Sequence, residues 1–353
     1  MVHDVALRVS LRCCLAMHTN PLQRWVGEAI GKGLAYLIEC QSNDGLWRDY
    51  DLKRGQSEAF STAWVGWCLT HFVNRATCMC SIRKAAVALG GVGKPTGWGF
   101  NRHTETDADS TAWTVRFLCG SGVNYGRAMS ARLQDHVNPA GQAHTFLDPA
   151  RGSWADAHAD VTPVVGLALL ACGAQDEVIQ RIRAAVVSAW KPGNMWKSFW
   201  WATDVYATLW SAVFLRESGG VPEEIRRELE SGVLEGHGGD SPLEIALSLL
   251  LCLEVTLDGG FVAEALVHQL ADSFVWSSWP GSALLLVPRQ YENDPLLPVG
   301  PHADVRGLLT TAMACVALAR WLEGATRFCG ETRMTGKMFS MDDHLMYSLD
   351  QIG

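Results

Sequence analysis

Asp107-Ala108-Asp109-Ser110-Thr111-Ala112-Trp113 sets two carboxylates directly before an apolar run, and its second half recurs within Phe60-Ser61-Thr62-Ala63-Trp64. Stacked on this pattern, the chain gives weaker copies starting at Asp160 (Asp-Val-Thr-Pro-Val), Asp204 (Asp-Val-Tyr-Ala-Thr), Asp240 (Asp-Ser-Pro-Leu-Glu) and Asp304 (Asp-Val-Arg-Gly-Leu), six copies in all. Each copy enters a nearly all-apolar stretch, as at residues 164–170 and 245–253, the pattern of a helix buried on every side. Between the copies lie segments with one apolar and one charged face, at residues 22–39, 81–89, 127–136, 177–190, 222–234 and 262–271. Buried and amphipathic helices therefore alternate six times. The economical packing is an all-α fold, an α/α toroid of six parallel inner helices ringed by six outer ones.

A second element recurs at the end of the outer segments. Gln41-Ser42-Asn43-Asp44-Gly45-Leu46-Trp47 fits Gln-x-x-Asp-Gly-x-Trp, and residues 269–276, from Gln269 to Trp276, form a looser copy. Degenerate versions stand at Gly97-Trp98 and around Trp196. The glycine turns the chain, while the amide and indole are suited to tying neighbouring turns together.

Composition narrows the function. The 353 residues are 48% hydrophobic and 19% charged, enough to bury a large core, and the formal charge of −8 argues against nucleic acid as a partner. Eleven cysteines are scattered without a second pair at zinc-ligand spacing, and residues 1–19 do not read as a signal peptide, so a reducing cytoplasm is expected. No apolar run is long enough to span a bilayer. Residues 1–20 read as an N-terminal arm, 21–322 as the toroid, and 323–353 as a polar tail. The proline-rich segment 277–301 is a long connection expected to lie over the mouth of the barrel.

If the inner helices are parallel, Asp109, Asp160, Asp204, Asp240 and Asp304 gather at one mouth. An Asp ahead of an apolar helix is a favourable N-cap, and capping is the expected role of all five. Asp107 distinguishes the second copy. Two carboxylates at one site oppose each other's ionisation, so one is expected to hold a proton near neutral pH, against the pull of the helix N-terminus. The place of Asp107 is taken by His158 in the third copy and His302 in the sixth, which makes both candidate partners of Asp109. Fifteen tryptophans supply aromatic faces that attract cations without reacting as nucleophiles, and Trp64, Trp113, Trp154, Trp200, Trp201 and Tyr206 are the candidate cation-lining residues.

Together the two repeats resemble the squalene–hopene cyclase and prenyltransferase-repeat superfamily over about residues 21–322. Asp107 to Ala112 is similar to the Asp-x-Asp-Asp-Thr-Ala motif of class II terpene cyclases. The resemblance implies that Asp109, the middle Asp, is the general acid and that Asp107 tunes it. Ser110 replaces the third Asp, and the family's partner histidine falls near Val164 here. The implied reaction is protonation-initiated cyclisation of a linear or prenylated isoprenoid, with no metal or cofactor, Mg²⁺ entering only with a diphosphate substrate. Loose association with a membrane is implied by the apolar substrate; the oligomeric state is open. The same architecture serves zinc protein prenyltransferase subunits and lanthipeptide cyclases, but no cysteine stands at an inner-helix start to ligate zinc. No Gly-x-Ser-x-Gly elbow suggests a serine hydrolase. A toroid that binds an isoprenoid or a peptide without turning it over is the alternative from a different class.

Overall fold

A computed structural model describes residues 20–123, 126–193, 195–234, 239–256, 260–287 and 301–330. The N-terminal arm to residue 19, residues 331–353 of the tail and residues 288–300 of the mouth segment lie outside the described residues. The outer helices are α1 (Pro21–Glu39), α3 (Ala76–Val92), α5 (Gly126–Asp135), α7 (Asp176–Ser188), α9 (Glu223–Leu234) and α11 (Gly260–Asp272). The inner ones are α2 (Ala59–Thr70), α4 (Ala108–Gly120), α6 (Thr162–Ala171), α8 (Asp204–Glu217), α10 (Pro242–Val255) and α12 (Leu308–Gly330), the last running past residue 322. Each inner helix packs on the next and α12 packs on α2, which closes the ring. The alternation expected from the sequence is the observed fold.

Periodicity explains which helix goes where. In α7, Val178, Ile179, Ile182, Ala185 and Val186 are buried, a single stripe repeating every three to four residues. In α6, every residue from Thr162 to Leu169 is buried, so the helix has no face to give to water. Glycine brings inner helices close. A Cβ at Gly66 would stand 2.7 Å from the Phe117 ring, and one at Gly166 would stand 2.5 Å from Phe214, so an aromatic ring of the following inner helix seats on each glycine.

The two repeated motifs interlock. Trp47 Nε1 donates to Leu37 O (2.7 Å), Trp98 Nε1 to Leu89 O (2.8 Å), Trp196 Nε1 to Val186 O (2.9 Å) and Trp279 Nε1 to Leu270 O (2.8 Å). Each acceptor lies in the last turn of an outer helix, where the intrahelical ladder runs out and carbonyls are open to a second donor. The threonine at the start of the next inner helix then clasps the backbone of the same residue. Thr62 Oγ1 accepts from Trp47 N (2.9 Å) and donates to Trp47 O (3.1 Å), and Thr111 does the same with Trp98 and Thr311 with Trp279. In the third turn Thr162 accepts from Ala143 N. Gln41 Nε2 donates to Gly45 O and to Ser81 O on α3, the amide tie expected of the motif. Gly45 itself has φ +87°, and a Cβ there would lie 2.6 Å from Lys84 O. One assignment changes. The tryptophan that closes the last turn is Trp279, fully buried; Trp276 sits 90% exposed at a turn tip.

Two short hairpins stand at the inner-helix N-terminal end. Strand β1 (Asp49–Leu52) pairs antiparallel with β2 (Gly55–Ser57), and β3 (Ala283–Leu285) with β4 (His302–Ala303). Leu285 also bridges to Trp201, so the described part of the 277–301 segment is attached to the connection before α8. Asp49 accepts from the backbone N–H groups of Arg306 and Leu308, which fastens the first repeat to the last.

Candidate active site

The second inner helix begins with an exchange of the roles expected for its two aspartates. Asp107 is the N-cap of α4: Oδ1 accepts from Ser110 N at 2.7 Å and Oδ2 from Ser110 Oγ at 2.9 Å. Asp109 lies inside the first turn, and among the described residues no donor reaches its Oδ1. A carboxylate with two donors keeps its charge more readily than one with an orphaned oxygen, so of the pair Asp109 holds the proton. Burial raises the Asp109 carboxyl well above the usual range, the carboxylates of Asp107 and Asp160 add to this, and Arg116 opposes it. Burial also lifts Asp107, to about 7, against the two bonds from Ser110. Asp109 is surrounded by protein yet retains some accessible surface, as expected of a side chain facing an internal space rather than bulk water. Ser110, where the class II motif has a third Asp, thus donates to Asp107 where a carboxylate could only repel it.

The capping expectation fails elsewhere too. Asp160 does not cap α6, whose N-cap is Val161; its Oδ2 accepts from Phe199 N (2.9 Å) and Trp200 N (2.7 Å). Burial raises Asp160 to about 6 against these bonds. Thr203 caps α8, with Asp204 one residue inside, and Ser241 rather than Asp240 caps α10. Asp304 does serve its helix, accepting from Thr310 N at 2.8 Å and also from Ser282 N. At α8 and α10 the physical reason is register, since two adjacent polar residues compete for the cap and the sequence pattern does not choose between them, whereas Asp160 is claimed by N–H groups from another connection.

The aromatic residues form two groups. Trp64, Trp113, Trp201 and Tyr206 are fully buried and pack on one another, with ring centroids 4.6 Å apart for Trp64 and Trp113 and 4.3 Å for Trp201 and Tyr206. Trp113 Nε1 donates to Tyr206 Oη at 3.0 Å, and Tyr206 is near enough to Asp109 to feel its charge. They make a floor. Phe146, Trp154, Phe199 and Trp200 keep accessible surface and form a wall, with Trp154 and Trp200 edge-on at 5.5 Å. Asp160 holds this wall through the Phe199 and Trp200 N–H groups, and Trp200 Nε1 donates to Thr145 Oγ1.

Neither histidine is among the charged groups acting on Asp109. His158 Nε2 bonds Ser153 O at 2.9 Å and its ring stacks on Phe199 at 3.7 Å, so it braces the wall. His302 lies half-buried on β4, facing Leu285 in the pairing, with no hydrogen-bond partner for Nε2 among the described residues. Sequence reasoning also missed Arg116, a buried cation on α4 whose guanidinium lies over three indoles; its signal was a lone charge within the apolar run 111–119. Among the described residues no three His, Cys, Asp or Glu side chains converge as a metal site requires, and no helix is long and apolar enough to cross a membrane.

No protein-family model and no curated protein matches the sequence. Solved structures do. Type II terpene cyclase MstE from Scytonema superposes with a TM-score of 0.76 at 21% identity, covering 85% of this chain and 99% of that one. This chain shares the fold of the type II terpene cyclases. A protein from Actinoplanes superposes with a TM-score of 0.70 at 23% identity over 84% of this chain and 99% of its own. The toroid is not confined to one chemistry: an unsaturated glucuronyl hydrolase specific for heparin superposes with a TM-score of 0.60 at 10% identity over 86% of this chain and 98% of its own. MstE is also known with geranylgeranyl dihydroxybenzoate bound as substrate to an Asp-to-Asn variant, and with merosterolic acid A as product bound to an Asp-to-Ala variant.

Proposed function

We propose that this protein is a class II terpene-cyclase-like enzyme that protonates a double bond or epoxide of a linear or prenylated isoprenoid and so starts carbocationic ring closure. The observation that carries this reading is the orphaned, buried Asp109 beside a hydrogen-bonded Asp107. In the proposed step the alkene electron pair takes the proton of Asp109, leaving a carboxylate on the protein and a cation on the substrate. Neighbouring double bonds then close rings on that cation, and loss of a proton ends the sequence, so the net reaction is an isomerisation. Trp154 and Trp200 on the wall would stabilise the cation by about 0.5–2 kcal/mol each through their ring faces. Trp64, Trp113, Trp201 and Tyr206 would support it from the floor, and Ser110 would keep Asp107 anionic so that Asp109 retains the proton. His158 and His302 are assigned secondary places, bracing the rim rather than moving protons.

The likeness to MstE supports the fold, and the molecules bound to that protein suggest where to begin for this one: a prenylated dihydroxybenzoate. We assign no resident metal; Mg²⁺ would arrive only with a diphosphate head group. A cytoplasmic protein meeting its apolar substrate at a membrane surface is the matching location. The test is incubation of wild type and Asp109→Asn with linear isoprenoids bearing diphosphate, epoxide and prenylated aromatic ends. Cyclised product from wild type alone supports the reading. Equal product from both removes Asp109 as the acid, and binding without product from any of them leaves an isoprenoid-binding toroid instead.

A further inference from the structure

Below Asp109 on the same face of α4 stands Arg116, seven residues on and therefore about two helical turns deeper. Its guanidinium carbon lies 4.6 Å from the centroid of Trp113, 4.7 Å from Trp210 and 4.8 Å from Trp67, so rings from α2, α4 and α8 enclose it. The residue is buried and its Nη1 has no hydrogen-bond partner among the described residues. No salt bridge within 4 Å is made by it there. A guanidinium in this position is costly to bury, and packing alone would be served better by leucine or methionine. Side chains on a helix lean toward its N-terminus, which points Arg116 up toward Asp109, with Trp113 on the turn between. The arrangement has the form of a fixed positive charge held beneath the acid, screened from water by indoles.

We propose that Arg116 is a positioning residue that supplies the buried counter-charge for the Asp109 carboxylate left after proton donation. This rests on the reading of Asp109 as the acid. The need for it is plain from the surroundings: Asp107 and Asp160, the other charged groups facing Asp109, are both acidic, and Tyr206 contributes no cation. Around Arg116 itself stand Cys68, Tyr206, Asp109 and Glu217, with His71 set edge-on against Trp67 on the outer side. Among the described residues no histidine acts on Asp109, and Arg116 is the cation whose charge bears on it. The aromatic cage has a second consequence. It holds the guanidinium by cation–π contact rather than by a carboxylate partner, so the positive charge is not neutralised locally and its field reaches the acid.

The sign follows from Coulomb's law. Removing the cation disfavours the carboxylate, so the Asp109 midpoint rises. Across at most two helical turns, about 11 Å, and at an effective dielectric near 20, the shift is about one to two pH units. The experiment is an infrared titration of protein labelled with ¹³C-aspartate, following the protonated carboxyl stretch, with the Asp109→Asn spectrum subtracted to isolate Asp109. Arg116→Met is expected to move the midpoint up by about one to two units, and Arg116→Lys to restore it to within about half a unit. Arg116→Gln, which keeps length and polarity, is read in the same way if the methionine variant does not fold. An unmoved midpoint in the neutral variants overturns the proposal. Since the readout needs no turnover, an unmoved midpoint alongside intact cyclisation sinks Arg116 alone, whereas a moved midpoint in a protein that cyclises nothing sinks the reading of Asp109.

Discussion

Replacing Thr62 by valine keeps the side-chain shape and removes only the hydroxyl that clasps Trp47. Thr62 Oγ1 serves both the N–H and the carbonyl of that residue, and Trp47 has no accessible surface through which water could take over. Leaving two buried backbone groups without partners costs about 1–3 kcal/mol each, or roughly 2–6 kcal/mol together. Thr111→Val is the internal control. Trp98 O also accepts from Asp107 N at 3.0 Å, so its carbonyl keeps a donor when the Thr111 hydroxyl is lost and the cost is smaller, about 1–3 kcal/mol. With unfolding entropy near 2.1 cal/mol/K per residue over about 300 residues, 3 kcal/mol corresponds to a Tm fall of about 5 °C. Thermal and urea unfolding of both variants, with Thr62→Ser as the hydroxyl-bearing reference, reads the difference. If Thr62→Val costs no more than Thr111→Val, or if both sit within about 0.5 kcal/mol of wild type, the interlock described between the two repeated motifs is wrong.

Three further outcomes follow from the same contacts. The unfolded chain loses the Asp109 proton near 3.8 while burial raises its folded midpoint well above that, so wild type is penalised by about 1.4 kcal/mol per pH unit between the two midpoints and no further above the folded one. The stability of Asp109→Asn relative to wild type should therefore grow as pH rises from 4 to 8 in urea titrations, and a flat difference would contradict the buried acid. Gly66→Ala forces a Cβ against the Phe117 ring and should cost about 1–3 kcal/mol, with Phe117→Leu recovering most of it in the double variant; additive losses would refute the seating. Trp276→Ala, at an exposed turn tip, should change Tm little, whereas Trp279→Phe, which removes buried indole packing and the Nε1 bond to Leu270 O and leaves that carbonyl only Ser273 Oγ, should lower it by several degrees, and the reverse order would restore Trp276 as the repeat residue.

Much of the architecture was written in hydrophobic periodicity. The all-apolar run at residues 164–170 permits only an inner helix, and the striped Val178 to Val186 segment only an outer one. Side-chain roles at the mouth were less legible, because they depend on atoms brought in from other turns. Asp160 reads as a cap until Phe199 and Trp200 arrive from beyond α7 to claim its oxygen. Trp276 and Trp279 are three residues apart, and only the path of the turn decides which indole enters the core. Arg116 reads as a stray charge in an apolar helix until Trp67 and Trp210 close around it. What the sequence did single out, the pairing of Asp107 with Asp109, survives with the two roles made distinct: one is bonded and the other orphaned.

The central claim is that Asp109 begins the reaction by giving up a proton, and solvent deuterium reads that event in the product. Asp109 equilibrated in D₂O should deliver a single deuteron to the carbon it protonates, so wild type should return cyclised product one mass unit heavier, and Asp109→Asn should return unchanged substrate. Cyclised product without deuterium, or labelled product from the asparagine variant, would contradict the account.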